Sequence, residues 1–146
     1  MIFLDTGYFV ALFRTSDELH HRAMAWSLQL HEPMLVTEYV LWECVNTFSK
    51  LKERAAAYAL IEYAHSDSAC ELVQASPEFF TAGLRLHHAR ADKEWSLTDC
   101  VSFHIMRERG VSRALAYDIH FQQAGFEPLL RVDPPALEQG AEKPNE

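Results

Sequence analysis

The sequence predicts an α/β fold of three layers, a mostly parallel central sheet flanked by helices. Three observations carry this reading. Short apolar runs alternate along the chain with segments of helical periodicity. The runs are apolar throughout, the pattern of strands covered on both faces. The length, 146 residues with 49% hydrophobic and 23% charged, suits one domain and is too short for two.

Ile2-Phe3-Leu4 is the first strand, stopped by Asp5, and Thr6-Gly7 opens an apolar segment, Tyr8 to Phe13, that suits a helix. Thr15 with Glu18 resembles a capping box for a helix from Leu19 to Leu30, and Pro33 forbids its continuation. Met34-Leu35-Val36 is a second strand. Thr37 then caps a long helix reaching roughly Leu51, with Val40, Cys44, Val45 and Phe48 near one face. An alanine-rich helix follows, about Arg54 to His65, and Ala69 to Val73 is the third strand.

Ser76-Pro77 is an N-cap and N1 pair for a helix running to about Ala91. Ser96-Leu97-Thr98-Asp99 opens another that ends at Gly110. Arg113 to Tyr117 is a fourth strand stopping at Asp118, and Glu127 to Val132 a last one. Residues 1–132 thus form the domain. Residues 133–146, with adjacent prolines and few large apolar side chains, read as an acidic, disordered tail.

Composition narrows the function. No apolar stretch reaches the ~18 residues of a membrane span, and the start lacks the basic region of a secretory signal, so a soluble cytoplasmic protein is expected. Cys44, Cys70 and Cys100 are odd in number and far apart, which fits buried apolar residues rather than disulfides or a metal knot. The net charge of −8 argues against holding nucleic acid by overall charge alone.

Asp5 and Asp118 each follow a predicted strand, and in a parallel sheet both strand ends point to the same rim. Glu43 sits in the second turn of a helix that starts at a strand end. Asp99 lies in the first turn of another, among Leu97, Cys100 and Val101. An acid enclosed by apolar neighbours needs a hydrogen bond or a metal, because burying it bare is costly. Singly, each has a structural alternative: Asp99 as the partner of Ser96 in a capping box, Asp5 and Asp118 as turn formers, Glu43 as a solvated helix residue.

Four blocks in order, FLDTGYFVALF, VTEYVLWECVNTF, DKEWSLTDCVSFHIM and ALAYDIHFQQAGF, resemble the PIN-domain family, in particular the small bacterial toxins of the VapC type. The resemblance spans Met1 to Leu130. It implies a metal-dependent endoribonuclease, the toxin of a type II toxin-antitoxin pair, whose parallel α/β fold gathers acids around magnesium. The matching positions are Asp5, Glu43, Asp99 and Asp118. Thr6 matches the family's hydroxyl residue, and Asn46, one helical turn after Glu43, is placed to orient it. Ala116 departs from the pattern, since many relatives carry threonine or serine there.

Magnesium, with manganese as the alternative, prefers oxygen ligands and keeps several waters when few carboxylates hold it; one such water is the nucleophile. A second ion ~3.5–4 Å away would stabilise the leaving oxygen. Such ions also offset the four carboxylates, so net acidity does not exclude an RNA substrate. The partners implied are RNA, a second copy in a homodimer drawing on Tyr39 to Phe48 and Tyr58 to Tyr63, and an antitoxin; no membrane is implied.

Arg14, Lys50, Lys52, Arg54, Arg90 and Lys93 are the basic residues that might hold phosphates, and most read as solvated surface. Neither His20-His21 nor His87-His88 has the spacing of a helical zinc site, and no histidine is assigned to metal. Trp26, Trp42 and Trp95 read as core or interface aromatics. Asp5-Thr6-Gly7 lacks the second acid a phosphoaspartyl phosphatase needs, and no lysine follows a late strand as in a receiver domain. The alternatives are a PIN-fold RNA-processing nuclease without an antitoxin, and a noncatalytic binding module whose acids only cap helices.

Overall fold

The computed structural model describes residues 1–137. Its strands are β1 (Ile2–Leu4), β2 (Met34–Thr37), β3 (Cys70–Val73), β4 (Arg113–Leu115) and β5 (Glu127–Pro128). Its helices are α1 (Thr6–Phe13), α2 (His20–Gln29), α3 (Glu38–Thr47), α4 (Arg54–Ser66), α5 (Pro77–Ala89), α6 (Leu97–Glu108) and α7 (Ile119–Gln123).

The five strands pair in parallel in the order β3-β2-β1-β4-β5. Phe3 stands in register with Leu35 on one side and Ala114 on the other. The chain leaves β1 toward β2 and returns on the opposite side at β4, so the crevice above the carboxyl ends of β1 and β4 is the switch point where ligands bind in such sheets. Every residue of β1 is buried, as expected for a strand covered on both faces. Phe121 closes the core over Phe3 at 6.2 Å, with Phe103 edge-on to it at 5.0 Å.

The strongest local signals lie where the sequence places them. The Thr37 side chain accepts the Val40 N–H, that of Ser76 the Phe79 N–H, and Gly110 ends the last turn of α6 with a φ of 63°. All three cysteines are buried and free. Trp26 and Trp95 are buried, whereas Trp42 is 74% exposed. No described helix is long and apolar enough to cross a membrane.

Several expectations need correction. Thr15 and Glu18 form no capping box for α2; Asp17 Oδ1 accepts the Leu19 N–H instead, and the helix begins at His20. Helix α3 stops at Thr47, short of Leu51, where Phe48 turns into the core. The last strand shrinks to two residues. Arg22 Nη1 donates to the Leu130 carbonyl and Trp26 Nε1 to that of Val132, so side chains of α2 take backbone acceptors that a longer strand would offer, and Leu129–Arg131 coil into a 3-10 turn. Asp133 pairs with Arg22 at 2.8 Å, while residues 138–146 of the expected tail lie outside the described residues.

Candidate active site

Each acid reaches the crevice by a different local device. Asp5 leaves β1 with its N–H donated to the Leu115 carbonyl, which clamps it between β1 and β4. Asp118 leaves β4 and caps α7, its Oδ1 accepting the His120 N–H at 3.0 Å. Asp99 forms a capping box at the start of α6, its Oδ2 accepting the Ser96 N–H while Ser96 Oγ accepts its own. Glu43 stands on α3 and accepts a 2.6 Å hydrogen bond from Thr6 Oγ1.

These residues line one cavity of about 820 Å³, together with Asp17, Glu94, Tyr117 and Arg131. The capping and site readings of Asp99 are therefore compatible, since one residue occupies both positions. Helix α7, too short to show a periodicity, was not expected. It turns His120 back so that Nδ1 lies 3.0 Å from Asp99 Oδ2 and 3.3 Å from Asp118 Oδ1. One ligand atom from each of the three lies within 4.8 Å of the others. The i, i+2 relation to Asp118, within ALAYDIHF, is the signal that could have found His120; spacings suited to a single long helix do not.

Burial is the first cause that pushes the Asp5 carboxyl up, to about 7, and the negative charges of Asp99, Glu43 and Asp118 add to it against the opposing Thr6 backbone hydrogen bond. Among the described residues no lysine or arginine forms an ion pair with any of the four acids. Below Asp5, burial and then the nearby Asp5 charge push the Cys44 thiol up, so it stays neutral and adds no anion.

Asn46 is not brought to this cavity. It is exposed and lines a separate one between α3 and α4 with Tyr39, Trp42 and Ile61, and the hydrogen bond on the Glu43 side chain comes from Thr6. Ala116 is fully buried and does not line the cavity. Of the basic residues, Arg14 is bound to Glu53 at 2.7 Å, and Arg90 lies over Trp95 and binds Asp92. Arg131, which the sequence did not single out, is the cation at the cavity.

A sequence profile of the PIN domain matches residues 2–127. The chain is 30% identical over 129 residues to the 23S rRNA-specific endonuclease VapC20 of Mycobacterium tuberculosis, covering 86% of this chain and 95% of that protein. The crystal structure of M. tuberculosis VapC20, described as a Sarcin-Ricin loop cleaving toxin, superposes with a TM-score of 0.83 at 24% identity, over 92% of this chain and all of the other. That of FitAcB from Neisseria gonorrhoeae gives 0.61 at 17% identity, over 88% of this chain and 98% of the other.

Proposed function

The chain belongs to the PIN-domain family, and from that membership we propose a metal-dependent endoribonuclease that hydrolyses RNA phosphodiester bonds as the toxin of a toxin-antitoxin pair. The observation that carries this reading is the meeting of Asp5, Glu43, Asp99 and Asp118 in one cavity with no lysine or arginine paired to them among the described residues. Four carboxylates held together without a lysine or arginine paired to them repel one another; burial first, and then the charges of Asp99, Glu43 and Asp118, hold the Asp5 pKa up.

The donor set fits a hard divalent cation. Glu43, Asp99 and Asp118 each commit one oxygen to described protein donors, Thr6 Oγ1, Ser96 N with His120, and His120 N respectively, and keep the other for a ligand. These three and Asp5 would hold Mg2+, with Mn2+ as the alternative. When bound, the ion supplies charge neutralisation and Lewis-acid polarisation of the scissile phosphate. Thr6 fixes the Glu43 carboxylate, and the Ser96 capping box fixes that of Asp99, so neither must reorganise as the substrate arrives. His120, with its proton on Nδ1, donates to Asp99 and bridges it toward Asp118.

The relative acts on 23S rRNA, which makes ribosomal RNA the first substrate to try. The proposed homodimer draws on apolar surface that the monomer leaves bare: Trp42, 74% exposed, lines a cavity with the half-exposed Phe80. An antitoxin would be the second protein partner.

The test compares purified wild type with Asp5→Asn on ribosomal RNA in Mg2+, in Mn2+ and in EDTA. Cleavage by wild type that EDTA abolishes, and that Asp5→Asn loses well over ~10-fold, supports the reading, because groups acting as a unit fail together. Equal cleavage by both proteins, indifferent to EDTA, would overturn it. Growth arrest on expression of wild type and not of Asp5→Asn tests the toxin role.

A further inference from the structure

An acidic cavity must still hold a polyanion, and the residues at its mouth indicate how. Six carboxylates line it, while Arg131 is the one arginine or lysine among the described lining residues. Arg131 Nη1 donates to the Tyr117 carbonyl at 2.8 Å, and its guanidinium carbon lies 4.8 Å from the centre of the Tyr117 ring. Arg14, Arg22, Arg90, Arg109 and Arg113 all pair with carboxylates. Arg131 pairs with none among the described residues, although acids crowd its cavity.

A guanidinium offers five N–H donors in a planar fork that matches phosphate. Among the described residues only one is engaged, on the Tyr117 carbonyl. Tyr117 immediately precedes Asp118 and is 45% exposed, with the guanidinium over its ring. A partly exposed ring with a guanidinium over one face combines the two groups that grip an unpaired nucleotide: a surface for the base and donors for its phosphate. Bases inside a duplex are already stacked and present no face to such a ring.

We propose that Tyr117 and Arg131 are the substrate-positioning pair of this site, stacking an unpaired base on the tyrosine and holding its neighbouring phosphate on the arginine beside the Asp118 carboxylate. The inference rests on the nuclease reading and deepens it.

The test is steady-state cleavage in Mg2+ of a pool of RNA hairpins with randomised loops, alongside fully paired duplexes of matched stem sequence. Full-length wild type is compared with Tyr117→Ala, Tyr117→Phe, Arg131→Gln and Arg131→Lys, each checked by thermal melting. Tyr117→Ala and Arg131→Gln are expected to raise KM roughly tenfold or more, with a smaller change in kcat. Tyr117→Phe, which keeps the ring, should stay close to wild type, and Arg131→Lys should recover part of the loss. The salt dependence of log KM should weaken by about one unit of slope in Arg131→Gln and hold in Tyr117→Ala.

Wild-type KM and salt slope in Tyr117→Ala and Arg131→Gln, with wild type active, would overturn the pairing and leave the nuclease reading standing. So would duplex cleaved as fast as hairpin. A wild type that cleaves no RNA would instead overturn the nuclease reading itself, and this inference with it.

Discussion

Thr6 Oγ1 donates to Glu43 Oε1 at 2.6 Å, a bond that ties the first turn of α1 to α3 across 37 positions of sequence. It connects the residue after Asp5 to a second acid of the same cavity, so the geometry of one carboxylate is built into the backbone that carries another. Thr6→Val keeps the shape and removes the donor. Loss of such an orienting group is expected to cost 10–100-fold in metal affinity or activity, to order of magnitude. Thr6→Ser, which restores the hydroxyl, should recover most of it, and kinetics across a Mg2+ titration check both.

The raised pKa of Asp5 sets a pH dependence for the metal-free protein. Its folded value of about 7 lies above the ordinary aspartate value of 3.8, so between them the folded state holds a proton that the unfolded chain has released. Stability in EDTA should therefore fall as pH rises from about 4 to about 7 and level off beyond. Asp5→Asn should flatten that slope in denaturant melts. Asp99 is the largest charge contribution, so Asp99→Asn should bring the Asp5 titration down toward the ordinary carboxylate range, as carboxyl NMR would read. An Asp5 signal that does not move would remove Asp99 as a contributor and leave burial to hold the pKa up.

Packing supplies a prediction independent of the chemistry. A Cβ placed on Gly83 of α5 would lie 2.4 Å from Val101 Cγ2 of α6, closer than any real contact allows. Val101 is stiff at χ1 and buried, so the helices must separate. Gly83→Ala should destabilise by ~1–3 kcal/mol, the usual cost of overpacking. Val101→Ala in the same chain should return part of that loss, which a double-mutant cycle by denaturant melting measures.

The exposed Trp42 tests the proposed homodimer. Trp42→Glu puts a charge on the bare apolar face that includes Phe80 while leaving the buried core untouched. Light scattering should show wild type as a dimer and the variant as a monomer with an unchanged circular dichroism spectrum, its melting temperature losing only the concentration-dependent part that dimerisation adds. A wild type that remains monomeric at high concentration would remove the dimer from the proposal.

What the sequence revealed of this fold is what local chemistry decides. Thr37, Ser76 and Ser96 cap helices through bonds three residues long, and Asp5 and Asp118 end short apolar runs, so each could be read from its neighbours. That Asp5 and Asp118 reach one rim followed from a parallel sheet, in which the strand ends point the same way. What stayed hidden arises between elements. Helix α7 is one turn long and owes its start to Asp118, and Arg131 reaches the cavity from the 3-10 turn whose backbone Arg22 and Trp26 hold from α2. Asp99 shows a third kind of difficulty, since the capping box that explains it locally is also what aims it.

Asp118 gives the cleanest measure of a metal, because its structural and ligand roles can be separated by one substitution. Its side chain is 47% exposed, and its bond within the chain is that of an N-cap, Oδ1 accepting the His120 N–H. Asparagine caps a helix about as well as aspartate, so Asp118→Asn should leave the stability in EDTA nearly unchanged, or raise it slightly by relieving repulsion on Asp5. Mg2+ is different. An ion that binds only the folded state stabilises wild type by mass action, ~2.7 kcal/mol at a hundred times its dissociation constant. Removing one ligand charge weakens that binding, so the Mg2+ increment should shrink in the variant while the EDTA baseline holds. Thermal melts of both proteins across a Mg2+ titration measure the two quantities separately. An increment equal in wild type and variant would remove Asp118 from the ligand set, and no increment in either would leave the four acids without the cation their arrangement calls for.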